Sequence, residues 1–181
     1  MNEDSDGALV RRCCSGDRRA FEALVLRYEK PVYNAALRML HDREEARDVS
    51  QTVFLKVYEH LAEYDPSHKF YSWLYRIALN ESINTLQRRR PRAPLDLEMA
   101  GDGPGPDDTV RQLQLSGGLA AAVAALRDEY RAVIVLRHYL GCSYDDMASI
   151  LGLPEKTVKS RLFSARQLLK SAMELKGWAP E

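Results

Sequence analysis

Apolar residues recur at spacings of three and four along most of this chain, the pattern of amphipathic helices. Phe21, Leu24, Val25, Tyr28, Val32, Ala35, Ala36 and Met39 form one such stripe behind Asp17, a residue type suited to capping a helix. Pro31 interrupts that stretch and predicts a kink or a split into two helices. Asp42, followed three residues on by Glu45, opens a second stripe through Ala46, Val49, Val53, Val57 and Leu61. Tyr64 to Lys69 reads as a loop by composition. Phe70, Trp73, Leu74, Ile77 and Ala78 begin a further helix that runs into Arg88-Arg89-Arg90 and stops at Pro91 and Pro94. Leu115, Leu119, Ala122, Val123 and Leu126 mark another, and Tyr130 to Leu140 the next. Glycine costs roughly 1 kcal/mol relative to alanine inside a helix, so Gly117 and Gly118 place the start after Gly118. No strand-like alternation of useful length occurs, and the fold class is all-α.

Residues Ser143 to Lys170 carry the sharpest pattern, a helix, a three-residue turn and a second helix. Ser143 caps the first, with Asp146 favouring the same end. Met147, Ala148 and Leu151 make its apolar side, Gly152 supplies the left-handed stop, and Pro154 sits where the next helix begins. On a wheel of about 100° per residue, Val158, Leu162, Ala165 and Leu169 fall on one side of the second helix. Lys156, Lys159, Ser160, Phe163, Arg166, Gln167 and Lys170 fall on the other. Cations interleaved with hydrogen-bonding side chains suit a major groove, where phosphates flank base edges. A merely solvated face would leave the exposed Phe163 without a structural reason. A helix-turn-helix that reads DNA is the expectation.

Charge changes the picture only when taken locally. The 181 residues have a formal net charge of zero. Yet Leu153 to Lys176 has Lys156, Lys159, Arg161, Arg166, Lys170 and Lys176 against Glu155 and Glu174. Arg76, Arg88, Arg89, Arg90 and Arg92 face only Glu81 between Phe70 and Arg92. The acidic residues Asp96, Glu98, Asp102, Asp107 and Asp108 lie between those tracts, among Pro94, Pro104, Pro106 and three glycines. This divides the chain into an N-terminal tail (1–16), a helical module (17–91), a flexible acidic linker (92–110) and a second helical module (111–176). No apolar run approaches a membrane span and the acidic start does not resemble a secretory signal, so a cytoplasmic protein without membrane insertion is expected. Cys13, Cys14 and Cys142 make neither a disulfide scaffold nor a metal-ligand spacing, and His41, His60, His68 and His138 are scattered. No metal, cofactor or catalytic residue is expected.

Two constellations in the first half remain. Glu44, Arg47, Asp48 and Gln51 lie outside the apolar stripe of their helix. Ser72, Arg76, Asn80 and Asn84 recur every four residues beside Trp73, and asparagine is a middling helix former, which points to hydrogen bonding with something external.

Four stretches, AFEALVLRYEKPVYNAALRML, DREEARDVSQTVFLKVY, KFYSWLYRIALNESINTLQRRR and GCSYDDMASILGLPEKTVKSRLFSAR, together resemble the bacterial RNA polymerase sigma factors of the short extracytoplasmic-function type. The resemblance runs from about Phe21 to Lys170. It implies a region-two module that docks on core polymerase and melts the promoter, and a region-four module that reads the upstream element. It implies as partners core RNA polymerase, through its beta and beta-prime subunits, promoter DNA and an anti-sigma factor. By the same resemblance Glu44, Arg47, Asp48 and Gln51 grip the polymerase. Lys69, Trp73, Arg76, Asn80, Asn84, Arg88 and Arg89 capture the minus-ten strand. Lys156, Thr157, Lys159, Ser160, Arg161, Phe163 and Arg166 read the minus-thirty-five element, with Arg161 suited to a phosphate on the flank. Arg127 stands where the family often has proline, and the loop Asp65 to Lys69 varies too much in the family to transfer base specificity. With no long extension after Trp178, an appended sensory domain is not expected.

Other classes fit less well. A two-domain transcriptional regulator with a similar LGL-x-x-KTVK string would pair it with an α/β receiver, and the first half offers helices. A helical enzyme needs a convergent catalytic set, and His41, Asp42 and Glu45 are explained by a helix cap. A protein-only adaptor does not need the arginine run.

Overall fold

Side-chain caps set where four of the helices begin. A computed structural model describes residues 5–89 and 118–175. Ser5 accepts from the Ala8 amide and opens α1 (Asp6–Cys14), a helix within the segment expected to be a tail. Asp17 accepts from the Arg19 amide at 3.0 Å and opens α2 (Arg18–Leu40). Asp42 accepts from the Glu44 and Glu45 amides at 2.9 and 3.0 Å and opens α3 (Arg43–Glu59). A short 3-10 turn (Leu61–Glu63) and a loop lead into α4 (Phe70–Arg89).

Pro31 neither splits α2 nor ends it. A proline inside a helix costs about 3 kcal/mol. Here buried residues stand on both sides of it, Ala20 and Leu24 before, and Val32, Ala35, Ala36 and Met39 after. Burying side chains of this kind against α3 and α4 outweighs one lost backbone bond.

The described residues of the second module open in α5 (118–125), with Gly118 already helical. It continues through α6 (Asp128–Ile134), which widens into a π-helical turn (Val135–Tyr139). α7 (Tyr144–Leu151) and α8 (Glu155–Leu175) complete it. Leu115 and the 92–110 linker lie outside the described residues, among which all regular structure is helical.

The two modules are not apart. α4 packs on α7, and α2 packs on α6 and its π-turn. Arg131, only 7% exposed as a residue, makes one of these contacts. Its guanidinium donates to the Val123 and Leu126 carbonyls at 3.2 and 2.9 Å, and also to those of Ala124 and Met39. Met39 belongs to α2, so one cation satisfies carbonyls at the ends of two helices in different modules. Arg38 stacks over the Tyr139 ring 4.5 Å from its centre, along the same seam. Arg131→Met keeps bulk and removes the donors. It should cost roughly 2–3 kcal/mol of stability, measured by urea unfolding of the whole chain.

Candidate nucleic-acid interface

The first helix of the helix-turn-helix is opened by reciprocal bonds. The Ser143 hydroxyl oxygen accepts from the Asp146 amide at 3.1 Å, while Asp146 Oδ2 accepts from the Ser143 amide at 3.1 Å. Gly152, at φ 64°, ends α7 in the left-handed region, and its amide reaches back to the Ala148 carbonyl. The Pro154 carbonyl then accepts from the Thr157 and Val158 amides, starting α8.

α8 has the two faces the wheel predicts. Val158, Leu162, Ala165 and Leu169 are buried. Lys156, Lys159, Ser160 and Arg166 are exposed, Thr157 and Arg161 are half-buried, and Phe163 is 65% exposed. Lys159 pairs with Glu155 one turn back at 2.5 Å and lies over the Tyr144 ring. Arg166 lies 3.4 Å from His138 Nε2. Burial, and then the neighbouring Arg166 and Arg137, push the His138 pKa down, so the neutral ring is available to accept from Arg166.

On α3, Glu44, Arg47, Asp48 and Gln51 share one exposed face. Leu55 and Tyr58 continue that face at 64% and 57% exposure, with the Phe21 ring 5.0 Å from that of Tyr58. The sequence reading missed this apolar extension, although the spacing 44, 48, 51, 55, 58 carries it. A second apolar groove of about 790 Å³ lies on the other module, lined by Leu119, Val123, Ile134, Leu169 and Met173.

The α4 face is more occupied than expected. Asn80, Asn84 and Arg88 are exposed, and Trp73 is half-buried against Tyr64 and Phe70 at 5.5 and 6.0 Å. Ser72 is buried at 4%, so it leaves the asparagine stripe. A four-residue step overshoots the helical repeat by about 40°, and the drift turns Ser72 inward. Arg89, expected to meet phosphate, donates to Glu45 Oε1 at 2.8 Å and to the Leu40 carbonyl at 3.0 Å. Lys69 pairs with Asp146 at 2.8 Å. Arg76 donates to the Ile150 carbonyl at 3.3 Å and to that of Ser149. Burial would raise the Asp146 carboxyl, but hydrogen bonds from Lys69, Ser143 and Tyr71 hold it well below the usual range. The bond to Asp146 is also what first raises Lys69 above an ordinary ammonium.

Among the described residues no group of three or more His, Cys, Asp or Glu is placed to hold a metal. Among them, too, no helix is long and apolar enough to cross a membrane.

A tight helix-turn-helix behind a basic α8, paired with a helical module whose α4 carries Trp73 and exposed asparagines, has counterparts in known proteins. The Sigma-70 region 2 family matches residues 24–92, and the Sigma-70, region 4 family matches residues 117–169. The chain belongs to the sigma-70 family, as an RNA polymerase sigma factor of the extracytoplasmic-function type. It is 32% identical to the RNA polymerase sigma-H factor of Pseudomonas aeruginosa, over 96% of each chain. It is 34% identical to the ECF RNA polymerase sigma factor SigW of Bacillus subtilis, over 91% of this chain and 94% of the relative. Its fold matches the structure of CnrH in complex with the cytosolic domain of CnrY, with a TM-score of 0.75 and 29% identity, over 95% of this chain and 99% of that one. As a sigma factor it binds core RNA polymerase and promoter DNA to start transcription.

Gly152 gives this sigma factor a clean local test. A Cβ there would meet nothing within 4 Å, so Gly152→Ala carries only the left-handed backbone penalty. Stability should fall by about 1–2 kcal/mol in thermal unfolding, with helical content unchanged.

Proposed function

We propose that the sigma factor divides its work between three faces. The α3 face of Glu44, Arg47, Asp48 and Gln51 takes the polymerase, and Leu55 and Tyr58 extend it. Exposed large apolar side chains beside charges are the usual material of a docking surface, which supports that extension. Lys69, Trp73, Arg76, Asn80, Asn84 and Arg88 capture the minus-ten strand. Extruding a base costs a few kcal/mol and needs stacking and hydrogen bonds, and Trp73 beside the asparagines offers both. Lys156, Thr157, Lys159, Ser160, Arg161, Phe163 and Arg166 read the minus-thirty-five element. The observation that carries this reading is α8, whose apolar face is sealed while Lys156, Ser160 and Phe163 stand in solvent.

Arg89 is reassigned. Its bonds to Glu45 and the Leu40 carbonyl favour a role in holding α2, α3 and α4 together. The two modules, bounded near residues 17–91 and 111–176, act as separate units once bound to polymerase. The sigma factor has no catalytic activity of its own, a reading supported by Asp42, whose carboxylate is taken up in capping α3. It works in the cytoplasm, and an anti-sigma factor restrains it. CnrH, a protein of similar fold, is held in complex with the cytosolic domain of CnrY.

Run-off transcription with purified core polymerase on a genomic promoter library tests the whole reading. Start sites should depend on the added chain, and their absence would refute it. Asp48→Arg should abolish association with core polymerase in a pull-down while the circular dichroism spectrum stays that of the native chain. Lys159→Ala should weaken upstream-element binding, and the slope of log affinity against log salt should become shallower by about one.

A further inference from the structure

We propose that Asp6, acting through Tyr28 and Phe70, is a positioning residue for the loop 64–69, so that α1 governs how faithfully the minus-ten strand is captured. The proposal rests on the assignment of that strand to the first module. It adds a residue from a helix that forms no part of the capturing face.

Asp6 is placed to act across the module. It lies in the first turn of α1, behind the Ser5 cap, and its carboxylate bonds to two neighbours on α2. Oδ1 accepts from Arg27 Nη1 and Oδ2 from the Tyr28 hydroxyl, each at 2.5 Å. The Arg27 and Asp6 side chains are 31% and 23% exposed, so the pair is shielded from most of the solvent. Burial, and then the bond to Asp6, hold the Tyr28 hydroxyl above its usual range, so it stays a donor. Leu9 and Val10 are buried and fasten α1 without help from this carboxylate. What Asp6 adds is the setting of one ring.

That ring begins an aromatic chain that ends at the loop. Tyr28 meets Phe70 at 5.7 Å between centres and Tyr75 at 6.4 Å. Phe70 is buried and meets Tyr64 at 5.7 Å, edge to face, and Trp73 at 6.0 Å. Tyr64 and Trp73 lie 5.5 Å apart. Such contacts favour particular ring angles, so a shift in one ring is passed to the next.

The loop hangs on this cluster at both ends, because Tyr64 opens it and Phe70 follows its last residue. Within it the Tyr64 hydroxyl donates to the His68 carbonyl, and Asp65 Oδ1 accepts from the Ser67 amide at 2.8 Å. α1 also packs on the turn Leu61–Glu63 that leads into the loop. Asp6 is near enough that, after burial, its charge helps raise the Tyr64 hydroxyl. Trp73, which offers a face to an extruded base, therefore stands on a support whose foot is fixed by α1. Where groups must meet a fixed target, an error of about 1 Å can cost roughly a hundredfold. Loosening Tyr28 lets Phe70, Tyr64 and Trp73 relax together, and the loop then distinguishes bases less well.

Two substitutions cut the same bond from opposite sides. Asp6→Ala removes the acceptor, while Tyr28→Phe keeps the ring and removes the donor. Hydrogen exchange of the full chain reads the anchoring directly. Amides of residues 64–69 should exchange roughly three- to tenfold faster in both variants, the effect of losing one charge-assisted bond. Fidelity is read with the holoenzyme. A single-stranded oligodeoxynucleotide with the minus-ten strand of a promoter recovered by run-off transcription is compared with copies carrying single base changes. The affinity ratio between matched and changed strands should fall roughly three- to tenfold in both variants. A partly unfolded population lowers every affinity alike and leaves this ratio where it was, which separates positioning from bulk stability. Ratios for duplexes changed in the minus-thirty-five element should stay those of the wild type. The two substitutions together should do no more than either alone. The proposal is overturned if loop exchange is unchanged, if exchange rises in α1 but not in the loop, or if it rises in the loop while the base ratio holds. A wild-type holoenzyme without base preference on the single strand would sink the minus-ten assignment instead, and loop exchange would then decide the anchoring by itself.

Discussion

Helix ends leave backbone carbonyls without partners, and in this protein arginines from distant points of the chain take them. Arg89 and Arg131 converge on the last turn of α2, at Leu40 and Met39. Arg76 takes the last turn of α7, at Ser149 and Ile150. A guanidinium has five donors in a planar fork against a lysine's three, so Arg131 can reach four carbonyls at once. These bonds set how α2, α4, α6 and α7 sit against one another, and every exposed face depends on that arrangement.

The same economy explains how a chain of zero formal charge serves a polyanion. Its cations fall into two groups. Arg89 and Arg131 are committed to the fold, in contacts that leave little reach for an outside ligand. Lys156, Arg88 and Arg166 stand in solvent, while Lys69 and Arg76 stand between the groups, exposed in themselves yet paired across the module seam. Asp146 joins the two functions, since it closes the capping box of the helix-turn-helix and receives Lys69. One carboxylate thus serves both the start of α7 and the seam between the modules.

Much of the fold was legible from local chemistry. The caps at Asp17, Asp42 and Ser143, the stop at Gly152 and the buried face of α8 follow from side chains acting on backbone a few residues away. What was not legible depends on distant packing. Pro31 survives inside α2 because residues on both sides of it are buried against other helices. Ser72 turns inward because a stripe at four-residue spacing drifts around the helix. The α1 helix looked like a tail because its anchor is remote, with Asp6 bonded to Arg27 and to the Tyr28 hydroxyl, each at 2.5 Å. The apolar end of the α3 face, Leu55 and Tyr58, lies off the buried stripe and stands out only once its exposure is known.

By itself, then, the order of residues determined the helices, their starts and stops, the helix-turn-helix and the family, since each rests on interactions within a turn or two of chain. Which cations remain open to a partner was decided only by tertiary structure. A charged side chain carries no mark of its neighbour in the sequence, and whether Lys69, Arg76 or Arg89 meets solvent or an oxygen of the protein depends on a helix tens of residues away.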